Sequence, residues 1–164
     1  MSMVLYVRRA TEDQIASVRN NPSSVSAFFF ESGADEAGDM IDFDKAWQAV
    51  HFTLSGAEYY TDDDLGALLL NSETVGDDLG YGAAWIISHE RLAAFHLALS
   101  QMSDDDIRSR FDPQALVDND IYAYEDCVES PDEALQYLMQ GIPNLRLFAE
   151  KCASTGSSAL AAIC

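Results

Sequence analysis

The sequence contains few cysteines, few basic residues and no long apolar run. Its three cysteines are odd in number, lie far apart and form no Cys-x-x-Cys pair, which predicts reduced thiols rather than a disulfide framework. No apolar stretch approaches the ~18 residues that are needed to cross a bilayer. Arg8 and Arg9 follow a short apolar run, the reverse of a secretory signal. These features predict a cytoplasmic protein without a membrane span.

The shortage of basic residues gives the chain a strong negative charge. Nine Lys and Arg accompany 28 Asp and Glu, a formal net charge of −19. Residues 31–78 contain 13 carboxylates and one base, Lys45. A field of this sign repels nucleic acid and anionic membranes, and it raises the association rate of basic partners. The composition therefore predicts a basic protein partner, with no binding to nucleic acid or membranes.

Apolar residues are nevertheless abundant. Hydrophobic residues make up 48% of the chain, and its eight Phe, seven Tyr and two Trp are distributed along it, as is typical of a globular protein. A chain of 164 residues falls within the usual range of roughly 100–200 residues for one domain. We therefore expect a single domain over residues 1–164.

Three β-rich apolar segments and several helical patterns predict an α+β fold. The segments are residues 3–9, 83–87 and 157–164, and helical periodicity fills much of the chain between them. Since a predicted strand lies at each end of the chain, we expect a small mixed sheet that includes both terminal strands and is packed by several helices. Residues 31–41 are polar and contain glycines, which predicts a loop.

Capping residues mark where most of the helices should begin. Thr11 and Gln14 fit a capping box, in which the Thr side chain accepts from a helical N–H group and the Gln side chain reaches back to the cap. A small polar residue also precedes each of the later helical patterns. The other predicted caps are Asp42, Ser88, Ser103, Asp112 and Ser130.

Two helices are predicted in the acidic middle of the chain. The first would begin after Asp42 and end at Gly56, with one apolar stripe at helical spacing. The second would begin at residues 61–64, a Thr followed by three Asp. The stripe of the first helix consists of Phe43, Trp47, Val50 and Leu54.

The last third of the chain carries one long helical stripe. Because Pro143 lies inside it, removes one backbone hydrogen bond and clashes with the preceding turn, we predict a helix that is kinked at Pro143. Gly156 should end this helix. The stripe consists of Leu135, Leu138, Ile142, Leu145, Ala149 and Cys152.

Residues 42–56 resemble the signature of a known family. Their sequence, DFDKAWQAVHFTLSG, is similar to the segment of the YfbM-like family in which an Asp-x-Asp-Lys-x-Trp helix leads into His-Phe-x-Leu-Thr/Ser-Gly. The resemblance extends to the N-terminal strand, to residues 80–82 and to Ile121-Tyr122, and so covers nearly the whole chain. It implies an α+β cytoplasmic domain of bacteria, and this family has no established activity.

A candidate ligand pocket can be assembled around this signature. Trp47 and His51 are one helical turn apart, and Asp44 and Tyr81 could complete a pocket in which His51 acts as a base or a ligand group beside an aromatic wall. The alternative is a helix packed by Trp47, with His51 bonded to a backbone carbonyl or to Asp44. No nucleophile lies nearby in the sequence.

Other patterns do not predict metal or cofactor sites. His89 and His96 are seven residues apart, whereas a helical zinc motif needs four. The two Asp triads, residues 62–64 and 104–106, occupy first helical turns and lack the alternating spacing of a calcium loop. Gly80-Tyr81-Gly82 precedes a strand and lacks the third glycine of a dinucleotide-binding turn. We expect no metal and no cofactor.

Charge is thus the main guide to function. The leading hypothesis is a non-enzymatic protein that binds a basic partner, in its most concrete form an immunity-type protein that neutralises a basic toxin domain. The carboxylates of residues 31–78 should then lie mostly on one side of the fold. A small-ligand binder or enzyme with a pocket near Trp47, His51 and Tyr81 is the alternative, and the oligomeric state stays open. The predicted partner-binding residues are Asp62, Asp63, Asp64, Glu73, Asp77 and Asp78.

Overall fold

The two ends of the chain pair with each other in one five-stranded sheet. The computed structural model describes residues 2–31, 36–69 and 72–164. The sheet has the order β2-β1-β5-β4-β3, and all four neighbouring pairs are antiparallel. The α+β fold with both terminal strands in the sheet is confirmed, but the sheet is antiparallel rather than mixed. The strands are β1 (Leu5–Ala10), β2 (Met40–Asp42), β3 (Thr74–Val75), β4 (Ala84–Ile87) and β5 (Ser158–Ile163).

Helices cover both faces of this sheet. Because side chains alternate along a strand, Ala159 and Ala161 of β5 join a large core on one face, whereas Leu160 and Ala162 join a smaller core on the other. The helices are α1 (Glu12–Asn20), α2 (Val25–Phe30), α3 (Trp47–Ser55), α4 (His89–Ser100), α5 (Asp104–Arg110), α6 (Pro113–Asp118), α7 (Pro131–Gln140) and α8 (Ile142–Thr155).

Most of the predicted caps are confirmed. Thr11 and Gln14 form the capping box of α1, with both hydrogen bonds present. The side chains of Ser88, Ser103 and Asp112 accept hydrogen bonds at the starts of α4, α5 and α6. The prediction at Ser130 is only partly right, because α7 begins there without a side-chain cap.

The helix predicted after Asp42 begins later than expected. Asp42 ends the edge strand β2, so the predicted 31–41 loop gives way to a strand at its end. The side chain of Asp42 accepts from the Asp44 N–H group at 2.9 Å, and Asp44 adopts a left-handed φ of 49° that no α-helix can contain. The helix therefore starts at Trp47, although the whole predicted stripe is buried.

The helix predicted at residues 61–64 is wrong. The chain forms only a 3-10 turn, Asp64–Gly66, which the Asp63 side chain caps through the Leu65 N–H group at 2.8 Å. The guanidinium group of Arg91 binds the carbonyl groups of residues 61–63. Those carbonyls would otherwise accept the first hydrogen bonds of a helix.

The long C-terminal helix is interrupted two residues before the proline. The break between α7 and α8 falls at Gly141, and Pro143 lies in the first turn of α8, where its missing N–H group costs no hydrogen bond. A Cβ atom at Gly141 would come within 2.5 Å of the Phe43 ring. The prediction of a kink at Pro143 is therefore corrected to a break at Gly141.

Candidate functional site

A surface loop between α3 and α4 carries two exposed tyrosines, and we call residues 58–64 the tyrosine loop. Two buried side chains of α3 hold its first half. Gln48 Nε2 donates to the carbonyl oxygen of Glu58 at 3.1 Å, and His51 Nε2 lies 2.6 Å from the carbonyl oxygen of Tyr59. Since a carbonyl oxygen can only accept, we assign the neutral His51 ring the tautomer that carries its proton on Nε2. The loop thus starts from a fixed backbone.

Arg91 of α4 holds the second half of the loop. Its guanidinium nitrogens donate to the carbonyl oxygens of Thr61, Asp62 and Asp63 at 3.3, 3.1 and 3.0 Å. The Asp64 carboxylate lies 3.6 Å from the same group. One side chain therefore fixes four consecutive residues, because the planar guanidinium presents several donors in a rigid arrangement.

The tyrosine side chains are exposed although their backbone is fixed. Tyr59 is 63% exposed and Tyr60 is 51% exposed. The Tyr60 hydroxyl donates to Asp62 Oδ1, and this bond to a carboxylate raises the pKa of Tyr60. Two aromatic side chains thus stand on a rigid support, beside the exposed carboxylates of Glu58 and Asp62.

The three aspartates predicted to bind a partner also hold the loop together. Asp62 accepts from Tyr60, Asp63 caps the 3-10 turn, and Asp64 faces Arg91. All three remain exposed to solvent. Their carboxylates can therefore meet a partner, but replacing all three would also remove contacts that shape the loop.

The other three predicted binding residues lie around β3 and β4. Glu73 forms a two-bond ion pair with Arg19 of α1, at 2.8 and 2.6 Å, which lowers the pKa of Glu73. Asp78 accepts from the N–H groups of Gly80 and Gly82, and these bonds lower the pKa of Asp78. Asp77 is exposed. Two of the three thus have a structural partner.

The acidic segment is divided between opposite edges of the sheet. Asp42 ends β2 at one edge, whereas Glu73 and Asp77 flank β3 at the other edge. Four strand spacings of about 4.8 Å separate these edges by roughly 19 Å. Strand order thus separates Asp42 from Glu73 and Asp77, and the expectation that the carboxylates of residues 31–78 lie mostly on one side of the fold stays a prediction.

The alternative pocket residues occupy different surroundings. Trp47 and His51 are each 2% exposed, and Trp47 Nε1 donates to the carbonyl oxygen of Met3 at 3.1 Å. Tyr81 is 43% exposed, in the turn before β4. Asp44 lies at the surface and accepts from the Tyr137 hydroxyl at 2.6 Å. Trp47 and His51 are thus buried and bonded to backbone carbonyls, which agrees with the alternative of a helix packed by Trp47.

Two classes of feature are absent from the described part of the chain. Within residues 2–31, 36–69 and 72–164, no group of three or more His, Cys, Asp or Glu side chains is arranged to hold a metal ion. In the same residues, the helices are too short or too polar for any of them to cross a membrane.

Comparison with known proteins places the chain in a family. The model of the family described as domain of unknown function (DUF1877) matches residues 1–162. The chain belongs to this family. A solved structure titled as a protein of unknown function, YfbM from Escherichia coli, has a TM-score of 0.71 at 18% identity, over 98% of this chain and 99% of that one. No curated protein matches the chain in sequence. The YfbM-like resemblance is therefore confirmed, and at this identity the structural likeness concerns the fold.

Sequence reasoning missed the residues that build the tyrosine loop of this family member. Tyr59 and Tyr60 stand beside three aspartates in the sequence, and that juxtaposition was the available signal. Gln48 and Arg91 gave no such signal, because Arg91 contacts residues 28 to 30 positions away. Such contacts depend on how α3 and α4 are each placed against the Asp64–Gly66 turn.

The His51 contact predicts a dependence of stability on pH. Burial lowers the pKa of His51 below its ordinary value of 6.5, and Nδ1 has no hydrogen-bond partner among the described residues. The unfolded chain therefore binds a proton more readily than the folded one. The contribution of His51 is fully present above pH 6.5 and is lost as the pH falls towards the lowered pKa.

Urea unfolding between pH 7.5 and 5.5 measures this effect. His51→Gln keeps a donor for Tyr59 and cannot titrate, so its free energy of unfolding should fall less with decreasing pH than that of the wild type. His89→Gln, at an exposed histidine, is the control and should retain the wild-type dependence. Equal slopes for wild type and His51→Gln would contradict the assignment.

Proposed function

We propose that this protein is a non-catalytic binding protein that recognises a basic protein surface through the tyrosine loop. The observation that carries the proposal is the pair of exposed rings, Tyr59 and Tyr60, on a backbone fixed by Gln48, His51 and Arg91. Exposed tyrosines on a fixed backbone suit an interface, where Tyr and Trp are enriched. The four carboxylates of the same loop indicate that the partner's surface is positively charged.

Tyrosine suits the centre of such an interface. A Tyr side chain has few rotatable bonds and a large apolar face, so burying it costs little conformational entropy, and Tyr is enriched among the residues that dominate binding energy. An Arg or Lys side chain of the partner could lie over either ring as a cation–π contact. Because the loop is already ordered, binding would not have to order it.

The charge of the loop supports a basic partner. Glu58, Asp62, Asp63 and Asp64 are exposed within seven residues, in a chain with a net charge of −19. Such a group of carboxylates raises the association rate with a positively charged surface. The most concrete form of the proposal is an immunity-type protein that covers the basic active-site cleft of a toxin domain. The pocket near Trp47, His51 and Tyr81 is the weaker candidate, because two of its members are buried.

Affinity capture from native lysate tests the proposal when the bait variants are compared. The wild-type chain should retain a protein of basic isoelectric point that the double variant Tyr59→Ser/Tyr60→Ser does not retain. Tyr81→Ser, at an exposed tyrosine of another loop, is the matched control and should retain it. If no captured protein depends on the two tyrosines, or if the dependent protein is acidic, the proposal is wrong.

Charge reversal should slow association with that partner. The Glu58 carboxylate is exposed and forms no hydrogen bond or ion pair within the part of the chain that the structure describes. We therefore expect Glu58→Lys to lower the association rate several-fold at 0.05 M salt. The effect should shrink at higher salt because exposed charges are screened beyond about 10 Å at 0.1 M. Surface plasmon resonance measures the association rate of each variant at both salt concentrations.

Asp77→Lys provides the control for this measurement. It makes the same change of charge near β3, so it tests the other half of the predicted binding residues, Glu73, Asp77 and Asp78. Glu58→Lys should slow association more than Asp77→Lys does. The reverse order would locate the binding surface at the β3 edge, and rates that do not vary with salt would contradict electrostatic recognition.

A further inference from the structure

A cavity beside α7 has an aromatic wall and an acidic rim. It has a volume of about 270 Å³ and lies between residues 123–127 and the first turns of α7. Tyr124 and Tyr137 both line it, with ring centroids 6.4 Å apart and ring planes 21° from parallel. Carboxylates of residues before and within α7 complete the lining. These are Glu125, Asp126 and Glu133.

The two rings are fixed by hydrogen bonds of their hydroxyl groups. The hydroxyl of Tyr124, a residue that is 2% exposed, donates to the carbonyl oxygen of Ala134 at 3.2 Å. The hydroxyl of Tyr137 donates to Asp44 and accepts from the Lys45 N–H group at 3.2 Å. Both hydroxyls therefore have a partner, and because Tyr124 is almost fully buried, the ring that the cavity offers a ligand is mainly that of Tyr137.

The lining has charges of one sign. It contains no Lys or Arg, and within the described residues neither Glu125, Asp126 nor Glu133 forms an ion pair. An aromatic wall attracts a cation through the ring quadrupole, and a carboxylate adds direct charge attraction. A metal ion fits poorly, because these carboxylates form no arrangement that could hold one.

We propose that this cavity binds an organic cation, an ammonium or guanidinium group on a short alkyl stem. The volume lies just below the range of about 300–1,000 Å³ that is typical of small-molecule sites, so a single alkyl chain with its charged end fits. The stem would lie against the ring of Tyr137, which packs on the buried ring of Tyr124, and the charged end would meet the carboxylates. A free amine and a Lys or Arg side chain of another protein share this chemistry. The site is separate from the tyrosine loop, so it does not depend on the function proposed for that loop.

Calorimetric titration at 0.15 M salt tests the proposal. The probes are agmatine, its neutral counterpart 1,5-pentanediol, and a short peptide with one arginine and blocked ends. Agmatine should bind and pentanediol should not. If the peptide binds at least as tightly as agmatine, the natural ligand is a protein side chain; if only agmatine binds, it is a free amine. Failure of both cations to bind, or equal binding of pentanediol, would overturn the proposal.

Variants separate this cavity from the general negative charge of the chain. Asp126→Asn and Glu133→Gln should each weaken agmatine binding at least five-fold, and Tyr137→Leu should weaken it further by removing one ring. Glu150→Gln, on α8 and outside the cavity, makes the same change of charge and should bind like the wild type. Thermal melting checks that Tyr137→Leu is folded. Equal losses in Glu150→Gln and Glu133→Gln would overturn the site.

Discussion

Replacing Trp47 with Ala should destabilise the protein by about 3–5 kcal/mol, as large-to-small changes of buried aromatic residues do. Trp47 is 2% exposed, and its Nε1 donates to the Met3 carbonyl oxygen. The ring centroids of Trp47 and Tyr122 are 6.2 Å apart. Met3 in turn donates from its N–H group to the Tyr122 hydroxyl. The substitution would therefore leave a cavity and loosen the contact between α3 and the segment before β1.

This loss is a large part of the stability of an ordinary domain, which is about 5–15 kcal/mol. Urea unfolding followed by circular dichroism measures it, with Tyr81→Ala as the control at an exposed aromatic residue. Trp47→Phe keeps a ring but leaves the Met3 carbonyl without its donor, so it should cost less, about 1–3 kcal/mol. An unchanged melting temperature for Trp47→Ala would show that Trp47 is not a core residue, and would favour the ligand-pocket hypothesis.

Gly141→Ala should also destabilise the protein, by about 1–3 kcal/mol, as overpacking of a core does. The direction of this stability change is informative because Gly141 has helical dihedral angles, φ −81° and ψ −16°. At an unobstructed helical position the same change stabilises a protein by roughly 0.5–1 kcal/mol. Here the new Cβ would lie 2.5 and 2.8 Å from two atoms of the buried Phe43 ring.

A double-mutant cycle assigns this cost to its cause. In a Phe43→Leu background the smaller side chain leaves room, so Gly141→Ala should cost less or become stabilising, with a coupling free energy above about 0.5 kcal/mol. Gln140→Ala, at the exposed preceding residue of α7, is the control and should change stability little. Stabilisation by Gly141→Ala in the wild-type background would contradict the close packing of Phe43 on Gly141.

The sequence predicted the parts of the fold that depend on near neighbours. The capping box of Thr11 and Gln14 and the stop at Gly56 involve residues only a few positions apart, and all are present. Trp47, Val50 and Leu54 are buried because helical spacing places them on one face of α3, whereas Phe43 is buried although it precedes the helix.

The candidate site was less predictable than the fold. Asp62, Asp63 and Asp64 were predicted from the sequence to bind a partner, and they lie at the surface, where that role stays a prediction. Their bonds to Tyr60, Leu65 and Arg91 were not foreseen. A run of acidic residues after a Thr resembles a helix start, but here the segment forms a loop whose carbonyl groups bind the distant Arg91.

The sequence alone determined the fold class, the family, most of the helix starts and the negative charge of this protein, because each depends on composition or on residues close together in the chain. Tertiary structure decided the rest. Strand order separated Asp42 from Glu73 and Asp77, and the Phe43 ring leaves room only for a glycine at the break between α7 and α8. Hydrogen bonds from α3 and from Arg91 of α4 fixed the backbone of the loop that carries the two exposed tyrosines. Each of these depends on contacts between residues far apart in sequence, whose partners no local pattern specifies.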